Sequence, residues 1–149
     1  MVLAGAPEQQ PEDEDPARSA RIRRATVDTL RAFDAAGTDV VVLESAPTPS
    51  VDGFNPLDCL ARSRWVEACR FVARPSPDWV EGLTRDQADA LDHVDTIDLD
   101  RLICPFLPIC DPILGGTVVF YNGEHLAEGF TRSLAPQLAQ ALAERDLLD

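Results

Sequence analysis

The chain has 149 residues, of which 45% are hydrophobic and 26% are charged, and its formal net charge is -13 at pH 7. This composition is typical of a folded globular domain and excludes the low-apolar signature of intrinsic disorder. Because the acidic balance repels phosphate backbones and anionic membrane surfaces, we expect no nucleic acid partner.

The first sixteen residues are predicted to form a tail. Residues 6–16 are rich in Pro, Glu, Asp and Gln and have no apolar periodicity, so burial could not offset the entropy lost on ordering them. We therefore assign residues 1–16 to a disordered acidic tail and residues 17–149 to one domain. The chain shows neither the basic and apolar regions of a secretory signal nor a stretch of roughly 20 apolar residues that could span a bilayer.

A helix and a buried strand are predicted after the tail. Apolar residues recur at helical spacing from Ile22 to Phe33, and Gly37 follows as a C-terminal cap, which predicts a helix over residues 17–36. The continuous β-branched run at residues 40–43 is typical of a strand covered on both faces, as in a parallel sheet. This succession indicates an α/β fold.

Loops and short helices are predicted in the middle of the chain. A proline-rich loop covers residues 46–58, and residues 58–73 are a candidate helix. Thr84 and Gln87 have the spacing of a capping box, which predicts a short helix that ends near His93.

The last part of the chain is predicted to contain two strands and a helix. The strands cover residues 94–99 and 117–121, and the dipeptide Asn122-Gly123 that follows is a strong turn signal. Leucines at four-residue intervals then predict an amphipathic C-terminal helix, which Pro136 should kink or divide.

The four cysteines fall into two local pairs, Cys59 with Cys69 and Cys104 with Cys110. This pairing favours two short-loop disulfides and an oxidising compartment. Each bridge would contribute roughly 2 to 3 kcal/mol. Free thiols and a zinc site are the alternatives, although nine and five intervening residues fit the spacing of zinc knuckles poorly.

His125 is the strongest candidate for chemistry. It follows the predicted turn at a strand-to-helix junction, where catalytic groups gather in α/β sheets, and a neutral imidazole there could act as a general base. The alternative is that His125 caps the last helix or hydrogen-bonds within the turn. His93 is expected to have a structural role at a helix end. No G-x-S-x-G elbow, phosphate-binding loop, dinucleotide fingerprint or H-E-x-x-H occurs in the chain, and we predict no cofactor and no metal.

Several segments together resemble a known family. The segments VVVLESAPTP, VDTIDLDRLIC and VVFYNGEHLAEGFTRSLAPQLAQAL, with the two cysteine pairs, resemble the second half of the SGNH domain that is fused to acyltransferase-three-type membrane proteins. Those bacterial proteins O-acetylate surface polysaccharides. The resemblance covers about residues 17–142. It implies a partial flavodoxin-like three-layer α/β/α fold with a parallel sheet, lacking the first strand and the G-D-S block.

The resemblance also implies a catalytic site that is incomplete. The last block of the family reads D-x-x-H-L; His125 matches the base and Leu126 the residue after it, but Asn122 stands at the position of the Asp. In Ser-His-Asp enzymes this change favours the wrong histidine tautomer and costs about 10⁴ in kcat. The G-D-S that supplies the family's nucleophile does not occur in the chain. We therefore expect the chain to be inactive alone.

Three functions are compatible with these observations. The first is the SGNH domain of an O-acyltransferase for cell-surface glycans, truncated or encoded in two parts, with an N-terminal membrane acyltransferase as partner. The second is a degenerate, non-catalytic remnant that binds glycan or protein, with a homodimer as a candidate state. The third is a small α/β domain that shares only the fold. The sequence thus leaves open whether the chain is an enzyme, and the family implies the extracytoplasmic face.

Overall fold

The computed structural model describes residues 1–4, 12 and 14–145. Two units make up the chain: a sheet unit (Met1–Ser45 and Ser76–Asp98) and a disulfide unit (Ala46–Pro75 and Leu99–Asp149). The strands are β1 (Val2–Ala4), β2 (Val40–Leu43), β3 (Phe71–Val72), β4 (Val94–Ile97), β5 (Ile109–Cys110), β6 (Ile113–Leu114) and β7 (Thr117–Val118). The helices are α1 (Pro16–Ala35), α2 (Pro56–Arg62), α3 (Trp79–Ala88), α4 (Asp100–Ile103) and α5 (Glu128–Ala143).

Three parallel strands form the sheet of the sheet unit, in the order β1-β2-β4. Val2 lies opposite Val41, and Val40 lies opposite Val94. The central strand β2 is buried at residues 40–42, as its continuous β-branched run predicted. The parallel sheet with its helices confirms the predicted α/β, flavodoxin-like fold class.

Helix α1 confirms the predicted first helix and packs on this sheet. The side chain of Asp15 caps it by accepting the N–H of Arg18 at 2.9 Å, and Pro16 occupies the first turn, where its missing N–H costs nothing. Gly37 follows the helix with φ 64°, a conformation that favours glycine. The core of the unit consists of Leu30, Val40, Val42 and Val94, with Leu3, Phe33, Ala88 and Leu91 packed against it.

Helix α3 begins with a capping box that differs from the predicted one. The side chain of Asp78 accepts the N–H groups of Val80 and Glu81 at 2.8 Å, and the carboxylate of Glu81 accepts the N–H of Asp78 at 2.9 Å. Thr84 lies inside the helix, where its hydroxyl donates to the carbonyl of Glu81. The prediction from Thr84 and Gln87 was therefore wrong, because the Asp78 pair already satisfies the free N–H groups of the first turn.

Short antiparallel strands replace longer predicted elements in the disulfide unit. β6 and β7 form a hairpin across Gly115 and Gly116, whose φ values of 56° and 80° favour glycine. The strand predicted at residues 117–121 is thus limited to β7 and lies in a hairpin. The candidate helix at residues 58–73 is also wrong as one element, because a 3₁₀ turn at Val66–Cys69 and strand β3 follow α2.

The two ends of the chain also differ from the sequence-based expectations. Residues 2–4 of the predicted tail form β1, and Pro16 begins α1, while residues 5–11 and 13 lie outside the described residues. Helix α5 continues through Pro136 and is not divided by it. In the part of the chain that the structure describes, no helix has the length and apolar character needed to cross a membrane.

Candidate active site around His125

The turn that carries His125 is tied at both ends to buried backbone. Val119 and Phe120, which precede it, are 0% and 1% exposed. The N–H of Ala127 donates to the carbonyl of Val119 at 2.8 Å, and the N–H of Tyr121 donates to the carbonyl of His125 at 2.8 Å. These hydrogen bonds close the turn and place the imidazole at the surface of the disulfide unit.

The hydrophobic core of the disulfide unit supports this turn. Phe71 meets Phe120 edge-on, with ring centroids 5.1 Å apart. Cys104 and Cys110 are completely buried in the same core. The other buried members are Ala73, Ile103, Val119 and Phe130, with Leu126 among the residues packed against them. The turn therefore packs on a hydrophobic core that contains the Cys104–Cys110 disulfide.

The side chain of Asn122 closes the turn from inside. Its Oδ1 accepts the backbone N–H groups of Glu124 and His125, each at 2.8 Å. The same oxygen lies 3.0 Å from Nδ1 of His125. The two residues that match the D-x-x-H block thus touch through their side chains, and Asn122 occupies the position of an orienting group.

The imidazole of His125 is exposed, so a substrate could reach it from solvent. Nδ1 is the ring nitrogen that contacts Asn122, which leaves Nε2 as the nitrogen that could accept a proton. Glu124 is adjacent in sequence, yet it is Asn122 that contacts Nδ1. The contact with Asn122 thus orients the imidazole ring through Nδ1.

Ser45 and Ser50 both follow β2 along the chain. Ser45 lies in the sheet unit, is 7% exposed and donates its hydroxyl to the carboxylate of Glu81, while its N–H donates to the same oxygen at 3.1 Å. Burial raises the pKa of the Glu81 carboxyl, and the hydrogen bonds from Ser45 and Asp78 oppose that rise. Ser50 donates its backbone N–H to Val72 in the disulfide unit. The Ser45 contacts thus link the segment that follows β2 to α3.

His93 has a different environment from His125. It belongs to the sheet unit, where its Nδ1 lies 2.8 Å from Oδ1 of Asp39 and its N–H donates to Asp34 at 3.0 Å. Its carbonyl accepts the N–H of Val40 at 2.8 Å. These contacts hold the residue before β4 against the residues around β2. His93 therefore does not lie at a helix end as predicted, because α3 already ends at Ala88.

Both predicted disulfides are formed. Cys59 bonds to Cys69 and Cys104 bonds to Cys110, with Cα–Cα distances of 5.6 and 4.8 Å. All four sulfur atoms are therefore engaged, and the free-thiol and zinc alternatives for these residues are wrong.

Three features of the molecule were not predicted from the sequence. The apolar triplet at residues 2–4 was an available signal for β1, and Asp78 with Glu81 had the i, i+3 spacing of a capping box. The contact between Glu81 and Ser45 has no local signal, because 36 residues separate the two in sequence.

The structure has the features expected of an SGNH domain: a parallel sheet with helices, two short-loop disulfides and a turn in which His125 contacts Asn122. The chain belongs to this family: the family model described as the SGNH domain (fused to AT3 domains) matches residues 2–140. The match includes β1 and so begins earlier than the resemblance noted from residue 17 onward. No curated protein and no solved structure matches the chain.

Proposed function

We propose that the chain serves as the SGNH domain of an O-acyltransferase that moves acetyl groups to or from bacterial cell-surface glycans, with His125 as the general base. The observation that carries this proposal is the contact between Nδ1 of His125 and Oδ1 of Asn122, in the turn that resembles the family's D-x-x-H block. The assignment of a glycan as acceptor and of acetyl as the transferred group is based on the family resemblance.

The chemistry assigned to His125 is proton transfer during acyl transfer. Nε2 removes the proton of a serine hydroxyl while the serine oxygen forms a bond to the acyl carbon. The resulting imidazolium then returns the proton to the oxygen of the leaving group as its bond to the acyl carbon breaks. In the second half, Nε2 takes the proton of the acceptor hydroxyl while the acceptor oxygen forms a bond to the acyl carbon. The imidazolium then returns that proton to the serine oxygen as the bond between serine and the acyl carbon breaks.

The serine has to come from outside the 149 residues in this proposal, because they contain no G-D-S. A membrane acyltransferase partner, or a segment joined to it, is the proposed source. The family description, in which the domain is fused to AT3 domains, supports that association. The two disulfides support an extracytoplasmic location, since such bonds persist in oxidising compartments.

A second function is favoured by one observation, the neutral amide of Asn122 in place of a carboxylate. A carboxylate stabilises the imidazolium that forms during proton transfer, and an amide lacks that charge. A chain that has lost catalysis could retain the fold as a glycan- or protein-binding module, with a homodimer as a candidate form.

Acetyl transfer in cells that carry the chain with its membrane acyltransferase partner tests the two functions. The rate at which the surface glycan gains O-acetyl groups should fall by roughly 10² to 10⁴ in a His125→Ala variant, which lowers its O-acetyl content. A His93→Ala variant is the matched control and should keep the wild-type content, because His93 contacts Asp39 in the sheet unit. Equal O-acetyl content in wild type and His125→Ala, with glycan binding retained, would instead support the binding module.

Hydrolysis of p-nitrophenyl acetate by the purified chain tests where the nucleophile lies. The wild type, His125→Ala and Asn122→Asp should all remain at the background rate, because the base has no serine to activate. Hydrolysis by the wild type that His125→Ala abolishes would show that a nucleophile lies within the 149 residues.

A further inference from the structure

We infer that Asn122 is a positioning residue that holds neutral His125 in the tautomer with its proton on Nδ1, so that Nε2 carries the free lone pair. This role rests on the proposed function of His125 as a base. It differs from the effect expected for an asparagine at this position, which is stabilisation of the opposite tautomer.

Backbone hydrogen bonds determine which end of the Asn122 amide faces the imidazole. The N–H groups of Glu124 and His125 both point to one side-chain atom of Asn122, at 2.8 Å each. An oxygen accepts both hydrogen bonds, whereas an amide nitrogen in that position would place its own hydrogens against two donors. The oxygen assignment is therefore fixed by the backbone, independently of the imidazole.

The fixed oxygen then determines the proton position on His125. Oδ1 of Asn122 can only accept, and it lies 3.0 Å from Nδ1, a normal N–H···O distance. A neutral imidazole carries one N–H, so the hydrogen bond forms only when that hydrogen is on Nδ1. In the other tautomer two lone pairs would face each other at the same distance.

The consequence for the proposed reaction is that Asn122 performs one of the two tasks of a carboxylate. It orients the ring and leaves Nε2 ready to take the proton of a hydroxyl. It contributes no negative charge to the imidazolium. An asparagine stabilises the opposite tautomer only when its amide nitrogen donates a hydrogen bond to Nδ1. The backbone N–H groups of Glu124 and His125 prevent that orientation of Asn122.

Nitrogen NMR of the ¹⁵N-histidine-labelled chain tests this inference, because protonated and unprotonated ring nitrogens have distinct chemical shifts. Spectra are recorded at about pH 9, where histidine is neutral. The Nδ1–H tautomer should dominate at His125 in the wild type and in Asn122→Asp, which keeps the acceptor. In Asn122→Ala the ratio should move roughly fivefold toward the Nε2–H tautomer, the loss of about one hydrogen bond. A His93→Ala background assigns the signals.

A predominantly Nε2–H tautomer in the wild type would overturn the inference, whatever the variants do. So would an unchanged ratio in a folded Asn122→Ala variant. The proposed function is tested separately by the O-acetyl content of cells with His125→Ala. Full acetyl transfer in that variant would refute the base role while leaving the tautomer measurement intact, so the two failures are distinguishable.

Discussion

The carbonyl oxygen of Phe54 lies 2.7 Å from the point where a Cβ atom would stand on Gly123. Gly123 lies within the turn that carries Asn122 and His125. The backbone of Phe54 therefore packs directly against this turn. A methyl group at that distance from a backbone oxygen cannot be accommodated by a side-chain movement. Glycine at this position is therefore a requirement of close approach.

Gly123→Ala should disturb the site for this reason. We expect a loss of about 1 to 3 kcal/mol in the free energy of unfolding, the usual cost of overpacking, measured by urea denaturation. Acetyl transfer should fall by about 10²-fold, since a shift of roughly 1 Å misplaces His125. Gly82→Ala in α3 is the matched control, because no atom lies within 4 Å of its added Cβ. The free energy of unfolding of that variant should rise by up to about 1 kcal/mol. Equal unfolding free energies of the two variants would rule out the close-approach argument.

The ion pair between Glu44 and Arg85 gives a second prediction, on stability. The Glu44 side chain is 2% exposed, and its carboxylate accepts Nε and Nη2 of Arg85 at 2.7 and 2.5 Å. Arg85→Ala would leave this carboxylate buried without its cation, and we expect a loss of about 3 kcal/mol. The measurement is urea denaturation at neutral pH.

An exposed ion pair provides the control for this variant. Arg132 contacts Glu128 within α5, and both side chains are about four-fifths exposed. Arg132→Ala should therefore change the unfolding free energy by less than about 0.5 kcal/mol. A loss in Arg85→Ala no greater than this would show that Glu44 is rehydrated at little cost.

Local patterns made much of the fold predictable. The β-branched run of β2 and the helical spacing in α1 each contain their own signal, and the short cysteine loops indicated their partners. β1 had only the apolar triplet at residues 2–4 as a local signal, and a three-residue strand also depends on pairing with residues 41–43, far along the chain. Contacts between residues that are far apart in sequence produce no local periodicity from which they could be predicted.

The contact between Asn122 and His125 was predictable from the sequence, whereas the orientation of the Asn122 amide was not. The spacing of Asn122 and His125 indicated the pair, and a substitution rule then suggested the wrong tautomer. The orientation of the Asn122 amide depends on where the N–H groups of Glu124 and His125 point, which only the closed turn determines. The sequence gives the identity of the side chains, and the backbone of the turn sets their donor and acceptor roles.

The two disulfides should stabilise the chain to different extents. Cys104 and Cys110 are both completely buried in the core under the His125 turn, whereas in the other pair Cys69 is completely buried and Cys59 is partly exposed. Replacing either pair with alanine should cost roughly 2 to 3 kcal/mol from loop closure alone. The Cys104→Ala/Cys110→Ala variant should lose more, because it removes two fully buried sulfur atoms and so leaves the larger cavity.

Urea denaturation with and without a reductant measures what the disulfides contribute to the free energy of unfolding. The reductant should destabilise the wild type and leave a variant without cysteines unchanged. A wild type whose unfolding is insensitive to complete reduction would show that the bridges add no stability. A larger loss in Cys59→Ala/Cys69→Ala than in the buried pair would contradict the cavity argument.

His93 should make the stability of the chain depend on pH. Its hydrogen bond to Asp39 raises the pKa of His93 above its ordinary value of 6.5, with smaller contributions from the charges of Asp34 and Asp92, while burial acts in the opposite direction. A pKa that is higher in the folded state gives a stabilisation that is complete below the unfolded pKa of about 6.5. The stabilisation is then lost as the pH rises through the folded pKa. This contribution alone should therefore make the chain less stable above that pH than below 6.5.

The variant Asp39→Asn isolates this contribution. We expect the NMR titration of His93 to move to lower pH, and the fall in unfolding free energy above pH 6.5 to become smaller than in the wild type. Acetyl transfer at a fixed pH should be unchanged, because Asp39 and His93 contact each other in the sheet unit and Asn122 and His125 do so in the disulfide unit. An identical His93 titration in both proteins would assign the pH dependence to other groups, since the ion pair with Asp39 is the interaction that this substitution removes.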